Sequence, residues 1–132
     1  MAIYGIGATY GDEGDVSPEF LARQAAYIGW DEADAPYFHQ MFRRITVSDI
    51  LFIKSYPPQQ GLIIKAVGVV TEPQFVAGAD DMGVKVGVDW RWTRGPLLIG
   101  PLNDKADFMR RGSLFEELNP ALQRRVMSLI FG

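Results

Sequence analysis

The pattern of apolar and polar residues between Ile45 and Trp92 predicts three β-strands. From Val84 to Trp92, valine and tryptophan alternate with polar or small residues, which is typical of a strand with one core face and one face that is solvated or lines a groove. Ile50 to Ile53 show no polar alternation, so we expect both faces of that strand to be covered. A further apolar run extends from Gly61 to Pro73, and turn residues separate the three runs. We expect a small closed sheet whose core includes Ile50, Phe52, Val67, Val69, Val86 and Val88.

The N-terminal part of the chain predicts two more strands and two helices. The apolar opening Ala2–Gly7 predicts a first strand, which leads into a Gly/Asp-rich loop from Ala8 to Val16. Ser17-Pro18-Glu19 predicts a helix start, because serine can cap, proline suits the first helical position and glutamate suits the positive end. Ile28-Gly29-Trp30 predicts a short strand, and Asp34-Ala35-Pro36 opens a second helix.

The C-terminal quarter of the chain is predicted to be helical. Ser113-Leu114-Phe115-Glu116 has the form of a capping box, and Asn119-Pro120 predicts the cap and start of the last helix. The apolar stripe of that helix is expected to pack across one end of the sheet. The predicted fold class is α+β: one domain over residues 1–132, with a small β-barrel of about five or six strands flanked by helices and followed by C-terminal helices.

Composition restricts the possible functions. The chain has 132 residues and no cysteine, so disulfides and thiolate chemistry are excluded. No stretch resembles a signal peptide or a membrane span, which favours a cytoplasmic protein with no membrane partner. The net charge of −3 argues against broad, sequence-blind binding to long nucleic acid, because such binding depends on many Lys/Arg–phosphate contacts. Nothing in the sequence predicts a cofactor or a metal ion.

Three sequence motifs of this chain resemble motifs of the PUA-like superfamily, and within it of the EVE/YTH-like group. The phrase Ile45–Ile50 resembles the start of the central hairpin in EVE-like domains, with Ser48 where the family usually has glycine. Ile28-Gly29-Trp30 is similar to an Ile-Gly-Trp phrase of EVE-like domains from bacterial restriction and defence systems. The resemblance covers roughly residues 3–92. The partner strand of this hairpin has its own motif in the family, and the chain matches that motif at Gly61, Ala66, Gly68, Val70 and Pro73.

This resemblance implies a binding module. PUA-like barrels mostly bind nucleic acid or a modified base, and a tryptophan in the corresponding strand of YTH-like relatives belongs to an aromatic cage. EVE domains often act as sensors of modified DNA in bacterial or phage defence. The expected partners are therefore a modified nucleobase in DNA or RNA and a separate effector protein.

The residue types support a pocket for a base independently of the resemblance. A cage for a flat base needs aromatic side chains on converging segments and a few polar groups for the base edge. Tyr10, Trp30 and Tyr56 lie at predicted strand ends or in loops, while Thr9, Lys54 and Ser55 can supply hydrogen bonds. Trp30 and Trp92 also fit as structural aromatic residues. The predicted ligand-binding residues are Thr9, Tyr10, Gly29, Trp30, Lys54, Ser55, Tyr56 and Trp92.

Two other functions stay open. A small amidohydrolase of the ASCH group, which resembles this barrel, would use a lysine, a threonine and a carboxylate, here Lys54 or Lys65 with Thr71 and Glu72; the family's lysine–threonine spacing is absent. A non-catalytic regulatory subunit is the other alternative. His39, the only histidine, is expected to have a surface or capping role. The paired basic residues Arg43-Arg44, Arg110-Arg111 and Arg124-Arg125 suit solvated faces, or a phosphate contact if two pairs flank one pocket.

Overall fold

The computed structural model describes residues 1–132 and shows an α+β fold, in which a strongly curled half-barrel sheet carries four α-helices. Short 3₁₀ helices lie at Gly11–Glu13 and Asp107–Arg111. None of the helices is both long enough and apolar enough to cross a membrane. The strands are β1 (Ile3–Gly7), β2 (Thr9–Tyr10), β3 (Gly14–Asp15), β4 (Ala25–Ile28), β5 (Ile50–Ser55), β6 (Leu62–Glu72), β7 (Ala79–Asp80), β8 (Gly83–Trp92), β9 (Leu97–Gly100) and β10 (Leu114–Glu116). The helices are α1 (Ser17–Arg23), α2 (Pro36–Arg44), α3 (Gln74–Ala77) and α4 (Pro120–Phe131).

The main sheet is mixed, with the strand order β10-β1-β5-β6-β8-β4. Strands β1 and β5 are parallel, and the other pairs along this path are antiparallel. The pairing register shifts within β5–β6 and twice within β6–β8, and such irregularities bend strands and increase their twist. The end strands β10 and β4 do not pair with each other, so the sheet is a half-barrel and not the closed barrel that the sequence predicted. The short strands β7 and β9 pair with β8 and β6, and β2 and β3 form a separate hairpin.

Both faces of the sheet are covered, as the uninterrupted apolar run in β5 predicted. Leu51 and Ile53 belong to a first core that also contains Phe20 of α1 and Phe42 of α2. Ile50 and Phe52, which alternate with these two residues along β5, face a second core that is covered by α4. Successive side chains of a strand point to opposite faces, so a strand between two cores must be apolar at every position. Of the predicted core residues, Ile50, Phe52, Val67, Val86 and Val88 are buried, and Val69 is only partly buried.

The predicted helix at Ser113–Glu116 is wrong, because this segment forms strand β10. Its residues pair with β1 in antiparallel register, with Phe115 opposite Gly5. A Cβ at Gly5 would lie 2.2 Å from the Phe115 ring, so only glycine allows that ring to cross β1. The Phe115 ring also packs edge-on against Phe52, at 5.8 Å between centroids. Tertiary pairing and burial therefore override the local capping pattern.

The helix starts follow the sequence more closely. Asn119 caps α4 as predicted, because its side-chain oxygen accepts hydrogen bonds from the backbone N–H groups of Ala121 and Leu122. Helix α1 starts at Ser17, but Asp15 supplies the accepting carboxylate, bonding the Ser17 backbone N–H at 2.9 Å and its hydroxyl. Strand β4 ends at Ile28, which leaves Gly29 and Trp30 beyond the strand and not inside it as predicted.

Candidate ligand-binding site

A cavity of about 490 Å³ opens beyond the carboxyl ends of β1, β4 and β5. Its volume lies within the range of about 300–1,000 Å³ that is common for small-molecule sites. Because β1 and β5 are parallel, their carboxyl ends meet at one edge of the sheet, with Gly7 opposite Lys54. The cavity is lined by Gly7, Thr9, Tyr10, Gly11, Tyr27, Ile28, Gly29, Trp30, Lys54, Ser55, Tyr56, Arg111 and Ser113.

Seven of the eight residues predicted as ligand contacts line this cavity, and Trp92 does not. Trp92 instead packs against the second core, opposite Val67 in the β6–β8 pair. The alternation in β8 predicted Trp92 on the face of the valines, and this is wrong: Val86 and Val88 belong to the first core and Trp92 packs against the second. A register shift in the β6–β8 pair lies between Trp90 and Trp92 and breaks the alternation there. Sequence reasoning missed Tyr27, Arg111 and Ser113 as lining residues. The Arg110-Arg111 pair predicted only a solvated face, or a phosphate contact if two such pairs flank one pocket.

Trp30 lies at the cavity with 55% of its surface exposed, and both its side chain and its backbone are held. The indole Nε1–H donates to the hydroxyl of Ser113 at 2.9 Å. The carbonyl oxygen of Trp30 lies 2.7 Å from Nε2 of His39. Since a carbonyl only accepts, this His39 nitrogen carries a proton. The expected surface role of His39 is wrong, because His39 is only 5% exposed. Its hydrogen bond to the Trp30 carbonyl fixes the backbone of Trp30.

Tyr10 is held against the backbone of Gly29. Its hydroxyl donates to the carbonyl of Met82 at 3.2 Å, and its ring meets Phe20 edge-on at 6.5 Å. Burial raises the pKa of Tyr10 well above its ordinary value, so the hydroxyl stays neutral at physiological pH. A Cβ at Gly29 would lie 2.8 Å from the Tyr10 ring, so glycine is what allows this close approach.

Tyr56 and Arg111 form another wall of the cavity. The Tyr56 hydroxyl donates to Asp107, and this hydrogen bond raises the pKa of Tyr56. The Arg111 guanidinium lies over the Tyr56 ring, with Cζ 5.1 Å from the ring centroid, which is a cation–π geometry. Arg111 therefore presents a cation at the cavity on an aromatic support.

A buried ion-pair network anchors the 3₁₀ helix that carries Asp107 and Arg111. The guanidinium of Arg110 is 2% exposed and donates two 2.7 Å hydrogen bonds to the carboxylate of Glu117, which is equally buried. It also bonds Asp104 at 2.7 Å and Asp107 at 3.1 Å. These carboxylates are occupied by Arg110 and do not pair with Arg111. The guanidinium of Arg111 therefore remains available to a ligand in the cavity.

Lys54 is the most unusual group in the cavity. The residue is 6% exposed, and no carboxylate pairs with it. A Cβ at Gly7 would lie 3.8 Å from the Lys54 Nζ, so the ammonium lies beside the backbone of β1. Burial, and secondarily the charge of Lys65, lower the pKa of Lys54 from 10.5 to about 8.

The charge of the cavity lining is positive. Lys54 and Arg111 are its charged residues, and no Asp or Glu lines it. Thr9, Ser55 and Ser113 add hydroxyl groups, and four aromatic rings lie among the lining residues. This arrangement suits a flat ligand that stacks on aromatic faces and presents hydrogen-bond acceptors or negative charge.

The residues of the alternative amidohydrolase do not converge. Thr71 and Glu72 are exposed near the end of β6 and do not line the cavity that contains Lys54. Lys65 is paired with Asp15 at 3.2 Å. The chain contains no group of three or more histidine, aspartate or glutamate side chains arranged to hold a metal ion.

No protein-family model matches this chain, and no curated protein matches it significantly. The geometry of the cavity therefore carries the functional argument.

Gly29→Ala is expected to disturb the Tyr10 wall. The added methyl would lie 2.8 Å from the ring, and Gly29 is not in the left-handed region, so the cost of about 1–3 kcal/mol is steric. A double-mutant cycle with Tyr10→Ala, measured by denaturant unfolding, checks this. In the Tyr10→Ala background Gly29→Ala should cost almost nothing; the same cost in both backgrounds would contradict the contact.

Proposed function

We propose that this chain is a PUA-like module of the EVE type that binds a modified nucleobase in its aromatic cavity. The observation that carries the proposal is that residues from separate segments of the chain converge on one cavity. Aromatic and hydroxyl residues from the β2 hairpin, the end of β4, the end of β5 and the segment before β10 line one cavity of base-binding size. Each of these segments is far from the others in sequence, so the cavity depends on the fold as a whole.

The chemistry of the lining fits a base better than a flexible apolar ligand. Base–aromatic stacking is worth about 1–3 kcal/mol per base, and the exposed indole of Trp30 is the ring best placed to provide it. Hydroxyl groups and the Lys54 amine supply donors for the polar edge of a base. Trp30 is held by Ser113 and His39, so its ring is positioned before a ligand arrives. Such preorganisation reduces the entropy lost on binding.

The ligand can be a free nucleotide or a base within DNA or RNA. The net charge of −3 limits phosphate contacts along a long strand, so discrimination is expected to come from the cavity and not from the backbone. Arg111 is the cation of the cavity that is available for a phosphate. A separate effector protein, in bacterial or phage defence as the resemblance implies, would convert binding into a response.

Trp30→Ala is expected to weaken binding of a modified nucleobase by about 5- to 150-fold, which corresponds to about 1–3 kcal/mol of lost stacking. Because Trp30 is 55% exposed and its indole makes one hydrogen bond, its loss should lower the melting temperature by no more than about 5 °C. The measurement is calorimetric titration with methylated nucleosides of all four bases, and with single-stranded oligonucleotides that contain them.

The matched control is Trp92→Phe, which changes a tryptophan outside the cavity. It should alter stability without altering affinity. A large fall in melting temperature for Trp30→Ala, with no nucleoside or oligonucleotide bound by the wild type, would make Trp30 a structural residue and would overturn the proposed function.

A further inference from the structure

The buried lysine of the cavity has no counter-ion within the chain. Lys54 is 6% exposed, and its pKa is lowered by burial and by Lys65, with no carboxylate contributing. The nearest aromatic contact is Phe115, whose ring centroid lies 5.8 Å from Nζ. A buried charge without a partner is costly, and proteins usually pair such charges or lose the proton.

We infer that the ligand of this cavity carries a negative charge, and that this charge is bound by Lys54 with Arg111 as a second cation. The inference rests on the proposed function and adds the class of ligand, a planar heterocycle with an anionic group. An anion would supply the missing counter-ion of Lys54, and no carboxylate of the lining would repel it. A neutral ligand of the same shape would leave the Lys54 ammonium uncompensated.

The surroundings of Lys54 leave few other groups that titrate with it. Lys65 on β6 is the neighbouring cation, and it is itself paired with Asp15 at 3.2 Å. The pKa values of the lining tyrosines Tyr10, Tyr27 and Tyr56 are all raised above 10.0, so they remain neutral over the range in which Lys54 loses its proton. Arg111 is the other cation of the cavity lining.

Two sources supply the same anionic chemistry: an acidic substituent on the base, such as a carboxyl group, or the phosphate of a nucleotide. Four probes distinguish them: 5-methylcytidine, 5-carboxycytidine, cytidine 5′-monophosphate and inorganic phosphate. Affinities are measured by calorimetric titration of the wild type at pH 7 and pH 9. Preference for 5-carboxycytidine over 5-methylcytidine assigns the charge to the base, and preference for the monophosphate assigns it to the phosphate. Binding of inorganic phosphate alone would mean an adventitious ion only and would overturn the inference.

The pH dependence identifies Lys54 as the group responsible. Between pH 7 and pH 9 the protonated fraction of a lysine with a pKa of about 8 falls roughly tenfold, so affinity for the anionic probe should fall by about tenfold. Affinity for 5-methylcytidine should stay constant. Lys54→Met should remove both the anion preference and its pH dependence. The charge-matched control Lys65→Met should keep the preference for the anionic probe. It should also shift the fall in affinity to higher pH, because Lys65 helps to lower the pKa of Lys54.

The outcomes separate the inference from the proposed function. If 5-methylcytidine and the anionic probes bind equally well, or if Lys54→Met keeps the anion preference, the inference fails and the base-binding module stands. If no anionic probe binds while neutral modified nucleosides bind, the inference also fails alone. If nothing in the wider panel of nucleosides and oligonucleotides binds, the proposed function fails with it.

Discussion

Lys54→Met is expected to raise the free energy of unfolding at pH 7 by up to about 3 kcal/mol. The lysine is 6% exposed and lacks a counter-ion, so at pH 7 the folded protein keeps a charge that the unfolded chain would hydrate. The difference between a pKa of 10.5 unfolded and about 8 folded gives this magnitude, at about 1.36 kcal/mol per pH unit. Methionine has a similar length and no charge, so it should fill the same space.

The advantage of Lys54→Met should depend on pH with a defined sign. The pKa of Lys54 is lower in the folded state, so between about pH 8 and pH 10.5 the unfolded chain binds more protons and wild-type stability rises with pH from this group. The penalty is fully present below about pH 8 and absent above about 10.5, where both states are neutral. Urea unfolding at pH 7 and pH 10 tests this, with the exposed Lys105→Met as the control that should change little. A destabilised Lys54→Met protein at pH 7 would contradict the account of an uncompensated charge.

Phe52→Ala is expected to lower the free energy of unfolding by about 3–5 kcal/mol. The Phe52 side chain has no exposed surface and belongs to the core beneath α4, where it packs on Phe115. Removing it leaves a cavity between sheet and helix that neither can fill by moving a short distance.

Such a loss is a large part of the 5–15 kcal/mol that stabilises most domains of this size, so it should be clear in denaturant unfolding. Phe75→Ala, which removes the same side chain from a position that is 88% exposed, should change stability by no more than about 0.5 kcal/mol. Similar values for the two variants would show that Phe52 is not in a packed core.

Much of the sheet was predictable because its signals are local. An uninterrupted apolar run needs two covered faces, and β5 lies between two cores. The segment Ser113–Glu116 was not predictable in this way, since its capping pattern is local while its pairing with β1 is more than a hundred residues distant in sequence. Closure of the sheet was also beyond local signals, because it depends on whether β4 and β10 meet.

The candidate site was predicted where its residues lie at strand ends. Tyr10, Trp30 and Lys54 lie in or next to strand ends, which is why they were candidates. Strand β4 runs antiparallel to β1 and β5, so it is the curl of the sheet that brings Trp30 to Lys54. Arg111 lies far from them in sequence, and its place at the cavity depends on the buried Arg110 network. The lack of a counter-ion for Lys54 could not be predicted, since it depends on which side chains surround the lysine in three dimensions.

The central claim is that a modified base binds beside Trp30, and the indole N–H resonances of the three tryptophans test it directly. Trp90 donates its indole N–H to the carbonyl of Phe20 at 3.1 Å, and neither it nor Trp92 lines the cavity, so both are internal controls. The ¹⁵N-labelled protein is titrated with the panel of modified nucleosides. We expect at least one nucleoside to shift the Trp30 indole resonance while those of Trp90 and Trp92 stay in place. A Trp30 resonance that no nucleoside moves, or three resonances that move together, would contradict the claim.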